Sequence, residues 1–470
     1  MEGRIVKTTD RTAELKRSVL IVAAFSAFLT PFMGAAVNLA LPEIGSDLDA
    51  NAIQLNWVVT AYLLSSAVFL LPFGRLGDIV GRKKIFFWGL ILFTISTFCV
   101  CFSKSISYLI VFRVIQGIAS SMIFGTSMAI ITSVFPPGER GKAIGISITA
   151  VYIGLSSGPF LGGLLTQYFG WRSIFLFLVP GGLAAALLTH LKIKTEWADA
   201  RNERLDIPGA ILIGAGLILT ITGFSKLPST TGFIMVGCGI LLIGFFFFYE
   251  RLVTQPLLDI KLLTGNRVFA FSNLAAMIQY SATSATGFFM SLYLQYLKGL
   301  DARTAGLILM TQPVMMALLS TPSGKLSDRI NPGIMASAGI GLTAAGIISF
   351  TFLTENSALS MIFVILIVMG VGYALFSTPN SNAIMSSVEK RDLGVASGML
   401  GTMRMVGQTM SLGIAMMLIA LFIGNEKIDP ANYPDLLITI RTGFLIFALI
   451  CIPAIFASLA RNKSLNRTKK

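Results

Sequence analysis

Uninterrupted apolar runs, each about as long as a membrane-crossing helix, constrain this chain more than any other feature. Residues 18–42 form one such run and residues 85–103 another. About twenty apolar residues suffice to cross a bilayer as an α-helix. In lipid every backbone polar group must be satisfied internally, so only helices and closed barrels can span, and these runs are too long for barrel strands. Only 12% of the 470 residues are charged, against about twice that in soluble domains. The mean hydropathy is +0.79. The expected class is an all-α polytopic membrane protein.

Hydropathy places about fourteen spans along the chain. Six fall near 18–42, 55–74, 85–103, 106–131, 143–168 and 173–191. Two follow near 207–225 and 231–249, and six more near 268–297, 303–322, 333–353, 358–379, 393–422 and 440–460. The formal net charge of +14 reflects lysine and arginine gathered in alternate loops, the pattern that sets orientation in a membrane. It is not a nucleic-acid signal. Arg4, Lys7, Arg11, Lys16 and Arg17 precede the first span, and Arg461, Lys463, Arg467, Lys469 and Lys470 follow the last. Both termini are therefore expected in the cytoplasm. The link 43–55, acidic and without a basic residue, is expected to be non-helical and to face outward. The first run is too long for a cleaved signal peptide. Cys99, Cys101, Cys238 and Cys451 have no metal or disulfide spacing and read as packing residues.

A short basic turn occurs twice. The first copy is Gly74-Arg75-Leu76-Gly77-Asp78-Ile79-Val80-Gly81-Arg82-Lys83-Lys84, and the second is Gly324-Lys325-Leu326-Ser327-Asp328-Arg329-Ile330-Asn331-Pro332. Asp78 and Asp328 lie 250 residues apart. Six helices with short connections need roughly 190 residues at about 30 per span, and the surplus fits two inserted helices. The predicted plan is a cytoplasmic segment 1–17, a six-helix bundle 18–191, and a linker 192–267 carrying two inserted spans. A second six-helix bundle, 268–460, and a cytoplasmic tail, 461–470, complete it. Internal duplication of this kind accompanies transport by alternating access.

These residues resemble the major facilitator superfamily, in particular its fourteen-helix drug:proton antiporter branch. The Gly74–Lys84 stretch is similar to the signature loop between helices two and three. Arg113, Gln116 and Gly117 resemble the helix-four motif. Gly154, Gly158, Pro159, Gly162 and Gly163 resemble the antiporter motif of helix five. Pro256-Leu257-Leu258-Asp259 and Tyr293-Leu294-Gln295 are further phrases of the branch. The resemblance implies two six-helix bundles plus two inserted helices, working as a monomer in the cell membrane. It also implies that the repeated turns, through Gly74, Asp78, Gly81, Arg82, Asp328 and Arg329, latch the bundles on the cytoplasmic side.

Two arginines lie deep in spans. Arg113 stands about seven residues into its helix, with Gln116 one turn on, and Arg404 stands well inside its own, with Gln408 one turn on. A mid-membrane arginine costs about 3 kcal/mol on insertion scales and must find carbonyls, a polar cavity or a ligand. The resemblance places Asn38, Tyr62, Tyr152, Gln279, Tyr280, Gln312, Asn380 and Asn382 with them along a substrate cavity. Pro159 bends its helix, and the glycines at four-residue spacing permit close helix approach.

One family feature is missing. The branch usually carries an acid a few residues before Asn38-Leu39-Ala40-Leu41-Pro42, where this chain has Met33, and no Asp or Glu stands in the centre of any span. Arginine does not change protonation, so coupling to protons is either absent or rests on peripheral acids such as Glu43 or Asp78. A positive cavity favours anionic or zwitterionic cargo. The expected function is secondary export of small amphipathic molecules, drug-like, anionic or lipid-like. The alternatives are a non-proton-coupled lipid or metabolite transporter of the same fold, or a membrane-embedded enzyme or sensor. A single histidine and the lack of intramembrane acids speak against an enzyme, and no phosphate-binding loop for ATP occurs. No cofactor, metal or nucleic-acid partner is expected; the partners are a small-molecule substrate, the lipid bilayer and, where coupling exists, protons.

Overall fold

The computed structural model describes residues 2–424 and 430–460, so the basic tail after residue 460 lies outside the described residues. Among these residues the chain is helical, with no strand. The elements are α1 (Glu2–Asp47), α2 (Ala52–Val80), α3 (Arg82–Val100), α4 (Ile106–Val134), α5 (Arg140–Phe169) and α6 (Arg172–Lys192). Then come α7 (Ile207–Phe224), α8 (Thr230–Tyr249), the short α9 (Ile260–Thr264), α10 (Arg267–Thr283) and α11 (Thr286–Leu292). The last are α12 (Ala302–Leu309), α13 (Thr311–Ser327), α14 (Pro332–Phe350), α15 (Leu359–Ser386), α16 (Leu393–Phe422) and α17 (Tyr433–Ala460).

Local sequence explains most helix starts. Asn51 and Gln54 form a reciprocal capping box at the head of α2, which satisfies two amides that have no partner inside the helix. Ser105, Ser229 and Asn266 cap α4, α8 and α10 with a single side-chain acceptor each. Asn331 with Pro332 behind it opens α14, a position where the missing proline N–H costs nothing.

Thirteen helices among the described residues are long and apolar enough to cross a membrane. The fourteenth predicted span, 268–297, is broken rather than continuous. It runs as α10, a turn at Ser284–Ala285, α11 and one π-helical turn at Tyr293–Leu297. The amide of Ala285, released by the break, donates to Ser411 Oγ at 2.9 Å. This is how interrupted helices survive in lipid: side chains of neighbours take over the freed backbone groups.

The link between the first two spans is much shorter than expected. The predicted non-helical stretch 43–55 is a correction: α1 continues through Pro42 to Asp47, and only residues 48–51 lie outside helices. Proline removes one rung of the ladder, but tertiary contacts hold the next turn helical. Glu43 accepts from the Trp171 amide at 3.3 Å, and Asp47 accepts from Trp171 Nε1 at 3.1 Å and from Arg172 Nη1 at 2.7 Å.

The chain folds as two compact units. The first comprises Met1–Asp206 together with two short pieces from the later sequence, Gly324–Arg329 and Val388–Gly401. In it α1 packs on α5 and α6, α4 on α2 and α3, and α3 on α6. The seam between α1 and α5 is made by small residues. A Cβ at Gly154 would stand 2.6 Å from Phe28 O, and one at Gly158 or Gly162 would stand 2.6 Å from the Cβ of Ala35 or Ala36. Backbone approach that close needs glycine.

The second unit comprises Ile207–Ser323, Ile330–Ser387 and Thr402–Lys470. Here α14 packs on α15 and α17, and α10 packs on α17 and α15. Phe289, Phe350, Phe444 and Phe447 are fully buried at its centre, with Phe444 only 4.9 Å from Phe350 and 5.8 Å from Phe289 between ring centroids. The inserted helices α7 and α8 pair with each other through Gly216, Gly223, Gly232 and Gly239. The outer face of α8 stays open, with Leu241 73% and Phe248 58% exposed, as a lipid-contacting face requires.

The seam yields a direct test. Gly158→Val forces a side chain into Ala35 and should cost about 1–3 kcal/mol, lowering the unfolding temperature measured in detergent. Gly163, whose nearest neighbour to an added Cβ is Leu39 at 3.7 Å, should accept alanine with no measurable change.

Candidate functional site

The turn between α2 and α3 is built around an ion pair that is wholly out of contact with solvent. Gly81 joins the two helices with φ +128, a backbone geometry that a side chain disfavours. Asp78, three residues before it, and Arg82, directly after it, are each 0% exposed. The Asp78 carboxylate accepts from the amides of Gly394 at 2.9 Å and Val395 at 3.0 Å. These are the first residues of α16, where unpaired N–H groups and the helix dipole favour an anion. Gly394 is needed for the approach, because a Cβ there would run into Gly74 O.

Arg82 fills all its donor directions. Its Nε donates to Asp78 at 2.8 Å and Nη2 lies 2.7 Å from the same oxygen. Nη1 donates to Ser133 Oγ at 2.8 Å and to Asp199 at 3.0 Å, and Nη2 also donates to Lys390 O. Arg75 stands beside it, bridging Glu203 and Asp392.

The second basic turn repeats half of this arrangement. Asp328 accepts from the amides of Gly141 at 2.8 Å and Lys142 at 3.0 Å, at the first turn of α5. Each repeat thus sets its aspartate on the start of a helix from the other repeat, α16 for Asp78 and α5 for Asp328. The position matching Arg82 has no arginine, and Arg329 is exposed with no ion pair among the described residues.

Arg113 is 1% exposed. Its Nε donates to Val58 O at 2.8 Å and Nη1 to Gln116 Oε1 at 2.9 Å, while Gln116 donates onward to Thr97 Oγ1 at 3.0 Å. The guanidinium lies 4.3 Å from the ring centre of Tyr62, whose hydroxyl is 3.0 Å from Ser120 Oγ. Carbonyl, amide and ring together replace a counter-ion. Gly117 keeps α2 close, since a Cβ there would strike Ser65 Oγ and Tyr62 O.

Arg404 lies in the second unit and is only partly buried. Nη2 donates to Ser381 Oγ at 3.0 Å, and the guanidinium stands 5.5 Å from the ring of Tyr280, which meets Tyr373 edge-on at 5.5 Å. Its Nε is buried without an acceptor, and among the described residues no carboxylate forms a salt bridge with it. Gln279 is fully buried, and neither its Oε1 nor its Nε2 is hydrogen-bonded.

The remaining cavity candidates divide. Asn380 ties α15 to α10 by donating to Ser272 O at 3.0 Å, whereas Asn382 accepts from Ser386 Oγ at 3.3 Å within α15 itself. Tyr152 is buried on α5, Gln312 and Gln408 are half-buried, and Asn38 is exposed. The acids Glu196, Asp199 and Glu203 stand around Arg75, Arg82 and the start of α3, with Asp392 and Lys390 as further partners. Their one sequence signal is acid at spacings of three and four in a link of mixed charge.

Comparison with known proteins follows this geometry. A model of the Major Facilitator Superfamily matches residues 23–278 and again 273–470. The chain belongs to the major facilitator superfamily. It is a multi-pass membrane transporter rather than an enzyme. Among superfamily relatives it is 32% identical over 388 residues to the riboflavin transporter RibZ of Clostridioides difficile, covering 82% of this chain and 84% of that one. It is 29% identical over 475 residues to the cephamycin export protein CmcT of Amycolatopsis lactamdurans, covering 98% and 95%. It is also 29% identical over 429 residues to the tetracenomycin C resistance and export protein of Streptomyces glaucescens, covering 88% and 78%. The human organic anion transporter MFSD10 shares the fold, with a TM-score of 0.64 over 96% of this chain and 99% of that one, at 14% identity.

The two superfamily turns should differ in weight. Asp78→Asn leaves Arg82 with a buried, poorly compensated charge and should destabilise by about 3–5 kcal/mol. Asp328→Asn removes charge from a helix cap and should cost about 1 kcal/mol. Thermal unfolding of the purified variants in one detergent checks the order.

Proposed function

We propose that this protein is a secondary active exporter of small amphipathic molecules that carry negative charge or strong hydrogen-bond acceptors. It works by alternating access in the plasma membrane, with both termini in the cytoplasm. The observation that carries the reading is Arg404. Among the described residues its guanidinium has no carboxylate partner, and it keeps a buried Nε without an acceptor and stands over an aromatic pair. An unmet buried donor on a cation costs free energy until an acceptor arrives. A ligand with a carboxylate, phosphate or carbonyl edge and a planar apolar body suits both the charge and the rings.

Arg113 fits a different role. Its donors already end on Val58 O and Gln116, so it holds α2 and α4 together rather than waiting for cargo. The names of the relatives, a riboflavin transporter and exporters of cephamycin and tetracenomycin C, support small polar organic cargo and outward transport.

A non-proton-coupled mode is the second reading. Among the described residues no acid of the first unit lies in the middle of a membrane-crossing helix. Asp78 and Asp328 rest on backbone amides and Glu43 on the Trp171 amide. None stands beside Arg404. Flux in proteoliposomes with and without a pH gradient distinguishes the modes.

The test of cargo chemistry compares riboflavin, carboxyfluorescein and tetraphenylphosphonium in thermal-shift and flux measurements. Stabilisation by the first two and not by the lipophilic cation is expected. Arg404→Ala should lose that stabilisation and at least about tenfold in transport, the effect of one charge-assisted hydrogen bond. Arg113→Ala should instead lower the unfolding temperature with or without ligand. Unchanged flux and KM in Arg404→Ala would end the proposal.

A further inference from the structure

The link after α6, residues 193–206, has no regular structure, yet it is hydrogen-bonded to the α2–α3 turn at several points. Its backbone reaches in twice: Trp197 O accepts from the Arg82 amide at 2.9 Å, and the Ala200 amide donates to Asp78 O at 3.0 Å. Three of its four acids take separate positions on the turn. Glu196 accepts from the amides of Lys83 at 2.9 Å and Lys84 at 3.1 Å, capping the start of α3. Asp199 takes Nη1 of Arg82, and Glu203 takes Arg75. The carboxyl carbon of Glu196 would be 2.5 Å from a Cβ on Gly81, so the link occupies the space that the turn leaves free.

The same two arginines bind the returning segment 388–401. Arg82 donates to Lys390 O and Arg75 pairs with Asp392, while Asp78 receives Gly394 and Val395. Each arginine is therefore a junction with one side on the link and the other on the start of α16. A guanidinium is a rigid planar fork, and fixing some of its N–H groups fixes the direction of the others. Arg82 is fully buried, so a donor released by the link finds no water in place.

We propose that residues 193–206 are a brace for the latch: Glu196, Asp199 and Glu203 orient Arg75, Arg82 and the Gly81 turn so that segment 388–401 docks on them. These acids are positioning residues. They touch neither Arg404 nor its surroundings, and their role does not depend on which cargo is carried. Changing them alters how readily the α16 start leaves the turn.

Hydrogen exchange of the full-length protein in detergent or nanodiscs reads this directly, because the amides of Gly394 and Val395 are protected by Asp78. In Asp199→Asn combined with Glu203→Gln, peptides covering 390–400 and 78–86 should exchange about tenfold faster, the effect of losing a charge-assisted hydrogen bond. Peptides within 106–130 should be unchanged. Glu196→Gln should act mainly on 82–86. Arg201→Gln, an exposed charge in the same link, should do nothing. Unaltered exchange at 390–400 in the double variant would reduce the link to a tether and overturn the proposal. Acceleration across the whole chain, in the double variant and again in Asp199→Asn alone, would make these acids general stabilisers and overturn it equally. Binding of riboflavin or carboxyfluorescein plays no part in the readout, so failure of the cargo assignment leaves it intact.

Discussion

A guanidinium with no solvent contact can persist only if its donors are all engaged, and Arg82 meets that condition by drawing on four parts of the chain. Asp78 and Ser133 come from neighbouring helices, Asp199 from the link after α6, and Lys390 from the approach to α16. Breaking a buried pair costs much more than forming it gains, because the remaining charge is stranded. The consequence is cooperativity. Asp78 cannot leave the α16 amides without altering the field around Arg82, and Arg82 cannot turn without disturbing the link. Segment 388–401 is part of the first compact unit for this reason, although it lies some 180 residues beyond the end of that unit's continuous stretch.

The duplicated turns share a design with unequal reinforcement. Both aspartates end on the first amides of a helix, a placement that needs no side-chain partner. Asp78 adds a buried arginine and an acidic link, whereas the sequence after Asp328 offers Arg329, which is exposed, and no counterpart of Arg82. In physical terms the second contact is a helix cap. It is weakened by water and by salt, while the first is shielded from both.

Features governed by local rules were legible in the sequence. Apolar runs gave the helices, and the 250-residue offset of Asp78 and Asp328 pointed to duplication with two inserted spans. The small residues at 154, 158 and 162 marked a close helix seam. What escaped depended on distant partners. Pro42 reads as a stop, but Trp171 and Arg172 hold the following turn of α1 in place. The break at Ser284–Ala285 leaves no proline or glycine signature; it is stabilised by Ser411, more than 120 residues on. Glu196, Asp199 and Glu203 look like ordinary solvated charges until Arg75, Arg82 and the α3 amides are placed beside them. Arg113 and Arg404 were equally conspicuous in sequence because burial depth can be read from hydropathy, whereas the identity of the acceptors cannot.

That last difference bears on how a chain without a membrane-centre carboxylate can handle cargo. Arg113 is neutralised locally by a carbonyl, an amide and the face of Tyr62, and such dipoles stabilise a cation without creating a titrating site. A substrate approaching it would have to displace bonds already made. Arg404 has made one bond to Ser381 and rests on Tyr280 while its Nε remains unmet, so an incoming acceptor adds a bond without breaking one. The free energy of that added contact is available only while the ligand is bound. A contact of this kind can favour one conformation over another without any change in protonation, since a ligand shifts an equilibrium by its differential affinity alone. In this chain the arginine with an unmet donor, Arg404, and the arginines that hold the α2–α3 turn, Arg75 and Arg82, are thus different residues.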